Sequence, residues 1–276
     1  MGSPRLIVLL IFALIAASCG DLQPIGPPAR SSAAVPGTVA DLIHSGALRV
    51  AFSASPHGWY SESSSLIQCD ADAKSCAGLA PELADELARQ LGVRVVDQYY
   101  ASADQLFNGG RRGEWDVAIV VDDPTQVGIA FAPPLVALDQ TYAVRASSSM
   151  HSIADVDRPG VRIAVLAGTS IERYLKSALS QATLIPTSGN PLYLLEVGGA
   201  DAAAGPRGDL LEGLTRLPDG RVLTDSFAQS RWTIAVQAGR PELLAYASQF
   251  AANAKSSGFL GHLIDVNGLT GAQVLP

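Results

Sequence analysis

The chain has 276 residues, 48% of them hydrophobic and 16% charged, with a formal net charge of −7. It is too apolar for a disordered chain and too acidic for one that grips nucleic acid, whose phosphates want a basic face. Its length is enough for two lobes of ordinary domain size.

Residues 1–18 read as a targeting segment. Arg5 supplies the positive start, and the apolar core from Leu6 to Ala17 is too short to span a bilayer comfortably. Small residues Ala16-Ala17-Ser18 then precede Cys19, the pattern of a bacterial lipoprotein signal cleaved before Cys19, with lipid on its sulfur. Ala16 stands where such signals usually carry Leu, and an ordinary secretory signal with an incidental cysteine is the alternative. Residues 19–38 are rich in Pro, Gly, Ser and Ala with no hydrophobic period, and read as a flexible tether.

A short helix is expected over Val39–Ser45, then a strand over Leu48–Phe52 and a turn that carries His57, Trp59 and Tyr60. Cys69 and Cys76 flank a polar loop; in an exported chain they are expected to form a disulfide, with two free thiols as the alternative. Pro81–Leu91 is an amphipathic helix, because Leu83, Leu87 and Leu91 share one face, Pro81 suits the first turn and Gly92 the stop. A strand over Val93–Val96 and a helix from Ala103 to Phe107, ended by Gly109-Gly110, lead to the apolar run Val117–Val121. A run without alternation is a parallel strand buried on both faces. Strands alternating with helices give an α/β sheet.

Tyr142–Arg145 is expected as a crossing strand, and Val161–Leu166 as the first strand of a second lobe. Thr169 and Glu172 have capping-box spacing, so a helix starts there, with Ile171, Tyr174, Leu175 and Ala178 on one side. A strand over Thr183–Pro186, a short helix to Glu196 and a strand within Gly198–Pro206 follow. Strands over Arg221–Thr224 and Trp232–Val236 come next, then a helix over Pro241–Ser257 with Leu244, Ala247, Ala251 and Ala254 on one stripe.

Pro81-Glu82-Leu83-Ala84 through Leu91-Gly92-Val93, Trp115-Asp116-Val117-Ala118-Ile119 and Phe131-Ala132-Pro133-Pro134 carry a resemblance, continued by Val161 to Ser170, Thr233 to Val236 and Ser257-Gly258-Phe259. In order and spacing the chain resembles the family 3 extracellular solute-binding proteins of ABC importers. The resemblance implies a two-lobed type II periplasmic-binding-protein fold with two hinge crossings. Lobe one would be residues 39–144 plus 237–276, and lobe two residues 145–236. It implies a lipid-anchored, extracytoplasmic monomer that captures a small polar solute and hands it to an ABC permease. It calls for no cofactor, metal or nucleic acid. No motif for a nucleophile, a phosphate loop or zinc stands out, so catalysis is not expected. A degenerate sensor or accessory protein of an envelope complex is the alternative.

The candidate ligand contacts are Trp59, Tyr60, Asp122, Asp123, Thr125, Thr169, Ser170 and Arg207. Ligands of open α/β sheets sit at the carboxyl ends of strands, where the first five of these are expected, while Thr169 and Ser170 open a helix whose backbone N–H groups face the cleft. In amino-acid-binding members of the family, the loop after the central strand clamps a carboxylate with a Thr and an Arg. Here Asp123 holds the Thr slot, and no Arg occurs between Arg112 and Arg145. The family's later Asp, which pairs with an ammonium, is matched by Gly205. Two carboxylates would repel a third, which favours a cationic or neutral ligand. Asp122 and Asp123 serve equally well as a solvated turn, and Thr169 and Ser170 as a helix cap.

Overall fold

The computed structural model describes residues 43, 46–53, 66–69, 76–215, 217 and 219–276. The targeting segment, the tether with Cys19, most of the short helix expected before residue 46, and the turn with Trp59 and Tyr60 lie outside the described residues. Among the described residues no helix is long and apolar enough to cross a membrane.

The first half of the described chain runs β1 (Ala47–Ser53), β2 (Gln68–Cys69), β3 (Cys76–Ala77), α1 (Leu79–Leu91), β4 (Arg94–Tyr100), α2 (Ala103–Arg111), β5 (Val117–Val121), β6 (Ile129–Phe131) and β7 (Val136–Arg145). It continues with β8 (Arg162–Leu166), α3 (Ser170–Ala178), β9 (Thr183–Thr187), α4 (Pro191–Glu196), β10 (Ala202–Pro206), α5 (Arg207–Gly213), β11 (Gly220–Val222), β12 (Ala228–Gln237), α6 (Pro241–Ser256), α7 (Phe259–Val266) and β13 (Ala272–Val274).

One sheet carries the order β4-β1-β5-β12-β7-β10-β8-β9. The pairs β1–β4, β1–β5, β8–β9 and β8–β10 are parallel, while β12 and β7 run antiparallel to their neighbours. Each half of the sheet is therefore built the same way, from strand, helix, strand, helix, strand. One half is β1-α1-β4-α2-β5, and the other is β8-α3-β9-α4-β10.

The apolar interior is correspondingly divided. One core gathers Phe52, Leu83, Leu87, Val117, Val136, Leu138, Trp232, Ile234 and Phe250. Another gathers Tyr142, Val144, Ile163, Val165, Leu175 and Leu223. Strand β7 contributes Val136 and Leu138 to the first and Tyr142 and Val144 to the second, so it is a crossing between them. Strand β12 returns the chain, with Trp232, Ile234 and Val236 in the first core.

A salt-bridge clasp repeats in both halves. At the start of β1, Arg49 donates from its backbone N–H and Nε to Asp116 Oδ2, at 3.0 and 3.1 Å, and from Nη2 to Oδ1 at 3.0 Å. At the start of β8, Arg162 makes the same three bonds to Asp201, at 2.9, 3.0 and 2.9 Å. Each aspartate's N–H bonds the arginine's own carbonyl, Asp116 to Arg49 and Asp201 to Arg162. The clasps lie at the amino-terminal edge of the parallel strands, away from the edge where ligands of such sheets bind.

Helix α2 runs on through Gly109-Gly110 to Arg111, past the stop expected at the glycines. The glycines serve close approach there. A Cβ on Gly109 would lie 2.6 Å from the Tyr100 hydroxyl, and one on Gly110 would collide with the Trp115 ring. Strand β4 extends to Tyr100, beyond the expected Val96. In α6 the buried stripe holds Leu243 and Phe250 with Ala247, Ala251 and Ala254, and Leu244 packs at its margin.

Cys69 and Cys76 are joined, tying β2 to β3. A thiol-reactive probe should therefore label neither cysteine in the folded, unreduced protein. Cys76→Ser should lower the unfolding free energy by about 2–3 kcal/mol, the loop-closure value for so short a ring. Labelling of both before reduction would contradict the bridge.

Candidate functional site

A cavity of about 190 Å³ opens where the two cores meet. Its walls come from four places. Val121 and Asp122 close the carboxyl end of β5. Ser170, Ile171 and Tyr174 stand on the first two turns of α3. Gln140 lies on β7, and Phe227 to Arg231 lead into and along β12. Both halves of the sheet and both crossings thus contribute, which makes the cavity sensitive to how the halves sit on one another.

Helix α3 presents its start to this space because Thr169 caps it. The Thr169 hydroxyl accepts from Glu172 N–H at 3.2 Å and donates to Leu166 O at 2.8 Å. Glu172 Oε2 accepts from Gly168 N–H at 2.7 Å, and Lys176 bridges its other oxygen. These contacts hold the Glu172 carboxyl below its ordinary value, the Lys176 hydrogen bond first and the Gly168 N–H second. Thr169 is a cap and does not line the cavity, whereas Ser170 does.

Asp122 lines the cavity, and its negative charge has a partner. Arg231 Nη2 donates to Asp122 Oδ2 at 2.7 Å, and Asp122 N–H donates to Arg231 O at 2.7 Å. The Asp122 side chain is 14% exposed and that of Arg231 is 55% exposed. Asp123 points elsewhere. It accepts from Thr125 N–H at 3.1 Å, from the Thr125 hydroxyl at 2.5 Å and from Gln126 Nε2 at 2.9 Å, which is a turn cap. Arg173 of α3 faces it at 3.9 Å. Burial pushes the Asp123 carboxyl up, but the bonds from Thr125 and Gln126 and the Arg173 charge outweigh it and leave the group below its ordinary value. Thr125 is occupied by this turn and does not line the cavity.

The expectation of two uncompensated carboxylates is therefore corrected. Each has a guanidinium opposite, Arg231 for Asp122 and Arg173 for Asp123. Sequence reasoning looked for the arginine in the loop after β5, and the fold supplies it from β12, 109 residues away. The available signal was a charged residue directly before Trp232 inside an apolar crossing strand.

Arg207 is not among the cavity's lining residues. Its guanidinium donates to the carbonyls of Leu223, Thr224 and Asp225 and to the Ser226 hydroxyl, and Asp139 lies 3.6 Å from Nε. It staples the segment between β11 and β12. Asp201, at the far end of β10, belongs to its clasp with Arg162. Of the described candidates, Asp122 and Ser170 meet at the cavity. Asp123, Thr125 and Thr169 are turn or cap residues beside it, and Arg207 is a staple.

The residues the sequence reading missed are on the crossings. Phe227 stacks on Tyr174, with centroids 5.8 Å apart, and Tyr174 donates to Phe227 O at 2.9 Å. The Tyr142 ring also packs on Phe227, tilted, with centroids 4.7 Å apart. Gln140 and Ser230 are buried, at 2% and 5% exposure, yet line the cavity.

The model of bacterial extracellular solute-binding proteins, family 3, matches residues 63–266. Among curated proteins none matches the sequence. Among solved structures, a putative binding component of an ABC transporter from Wolinella succinogenes, complexed with lysine, is similar at 20% identity and a TM-score of 0.69. That match covers 80% of this chain and 95% of the other. The reconstructed ancestral amino acid-binding protein that preceded cyclohexadienyl dehydratase is similar at 22% identity and a TM-score of 0.67, over 83% and 98%. An amino acid ABC transporter substrate-binding protein from Streptococcus pneumoniae, bound to L-arginine, is similar at 21% identity and a TM-score of 0.65, over 80% and 94%. At this identity the structural likeness concerns the fold: two-lobed, with β7 and β12 as the hinge crossings.

Proposed function

The chain belongs to the bacterial extracellular solute-binding proteins of family 3, and we propose that it captures a small polar solute between its lobes and delivers it to the permease of an ABC importer. Lobe one is residues 39–144 plus 237–276, lobe two is residues 145–236, and closure about β7 and β12 buries the solute. The protein acts as a monomer held to the outer face of the cytoplasmic membrane by lipid on Cys19. It binds without turnover.

The observation that carries this reading is the cavity lined from both halves and both crossings. The charges around it form two opposed pairs, Asp122 with Arg231 and Asp123 with Arg173, so the site has no net charge to neutralise. That favours a solute without net charge, neutral or zwitterionic, over one of either sign.

The test is thermal unfolding of the full-length protein with L-arginine, L-lysine, L-glutamate, L-glutamine, putrescine and glycerol. A solute at 100 times its dissociation constant should add about 2.7 kcal/mol to the unfolding free energy. For a chain of this size that raises the midpoint by roughly 5–10 °C. L-Glutamine, the side-chain-neutral zwitterion, is expected to give the largest shift. The radius of gyration should fall with the solute that shifts the midpoint. An unchanged midpoint with all six would count against capture.

A further inference from the structure

Three consecutive residues at the centre of crossing β7 are polar, and two are accounted for. Asp139 accepts from Gln229 Nε2 at 3.0 Å and faces Arg207. Thr141 donates to Asp225 O at 2.7 Å. Gln140 between them is 2% exposed, and its Nε2 donates to Leu138 O at 3.2 Å. Its Oε1 is shut off from solvent and has no hydrogen-bond partner among the described residues.

An orphaned buried acceptor destabilises a fold, and most buried polar groups find a partner. An apolar side chain would avoid that penalty here, as Val136, Leu138 and Val144 do along the same strand. The Asp225 and Trp232 side chains also carry an orphaned atom, but neither lines the cavity. Gln140 does, beside the Asp122–Arg231 pair.

We infer that Gln140 is a specificity-determining ligand contact, its Oε1 accepting a hydrogen bond from an N–H or O–H of the solute. This rests on the capture reading proposed above. The contact selects solutes with a donor at that point, such as an ammonium, amide or hydroxyl group. It rejects those that offer only a carboxylate there, because two acceptors would face each other unpaired. The selectivity is of the hydrogen-bonding kind, in which a site's own polar group is left unpaired by the wrong ligand.

Gln140→Met in the full-length protein keeps the volume and removes the acceptor. Against the six solutes above, it should weaken binding of whichever the wild type binds by tenfold or more. Its unfolding midpoint without solute should stay close to or above that of the wild type, because removal of the orphaned acceptor offsets loss of the single 3.2 Å bond from Nε2 to Leu138 O. Gln140→Glu, which keeps an oxygen at that place, should retain binding of a cationic or donor-rich solute better than Gln140→Met does. Affinity within twofold of wild type in Gln140→Met would overturn the inference and leave capture standing. A lowered midpoint with unchanged affinity would make Gln140 a structural residue. A wild type that binds none of the six would overturn the capture reading, and the role of Gln140 with it.

Discussion

Asp116→Ala should destabilise the protein by about 3–5 kcal/mol, while Asp201→Ala, the same change in the matching clasp, should cost about 1 kcal/mol or less. Both aspartates hold an arginine through the same three bonds. Burial separates them. The Asp116 side chain is fully buried and also accepts from Arg240 Nη1 at 3.0 Å, so it joins β1, β5 and the start of α6. Removing it takes from Arg49 and Arg240, with side chains 28% and 18% exposed, the buried carboxylate they share. Stripping one partner from a buried pair is strongly destabilising for that reason. In the second clasp, Asp201 is 38% and Arg162 42% exposed, so water takes over when either is lost. Urea unfolding at neutral pH measures both changes, and equal effects would refute the burial argument.

The same site sets an acid limb. Burial pushes the Asp116 carboxyl up, but hydrogen bonds from the Arg49 side chain and backbone and from Arg240 outweigh it, so the group stays below its ordinary value. A depressed folded pKa means the stabilisation is complete above the unfolded value, near pH 4, and is lost as the pH falls through the folded value. Wild-type stability should therefore drop between about pH 4 and pH 2 more steeply than that of Asp116→Asn.

The sequence made the architecture legible where one physical signal dominated. The Val117–Val121 run could only be a doubly covered strand, and the Leu83-Leu87-Leu91 spacing could only face a core. Where two signals competed, local chemistry misled. Gly109-Gly110 looks like a stop, but the helix passes through because Trp115 and Tyr100 need the space. The repeat of the clasp was hidden, since Arg49–Asp116 and Arg162–Asp201 are 67 and 39 residues apart in sequence. The binding site was the least legible part. Asp122 and Ser170 were reachable because they follow strand ends, a rule of topology. Arg231 and Gln140 were not, because their role comes from β7 and β12 running side by side between the lobes. Arg207 shows the converse. A lone charge near the right sheet edge draws attention, yet four acceptors around Leu223 to Ser226 had already claimed its guanidinium.

The Asp122–Arg231 pair should decide the charge preference of the cavity, and its two halves should act unequally. Two unit charges 4 Å apart interact by about 4 kcal/mol at an effective dielectric of 20. Partial exposure of the cleft leaves about half of that, about 2 kcal/mol, or roughly thirtyfold in affinity. In Arg231→Ala the Asp122 carboxylate, 14% exposed, loses its counter-charge and has little water to replace it. The ratio of dissociation constants for L-glutamate and L-lysine should then move roughly thirtyfold toward the cation. In Asp122→Ala the guanidinium left behind is 55% exposed and already hydrated, so the ratio should move the other way by about fivefold or less. Isothermal titration of both solutes against the three proteins gives the ratios. Shifts of opposite sign with the larger one in Arg231→Ala would place the pair in contact with the solute. Ratios that stay within twofold in both variants would put the pair outside its reach, as a strut between β5 and β12.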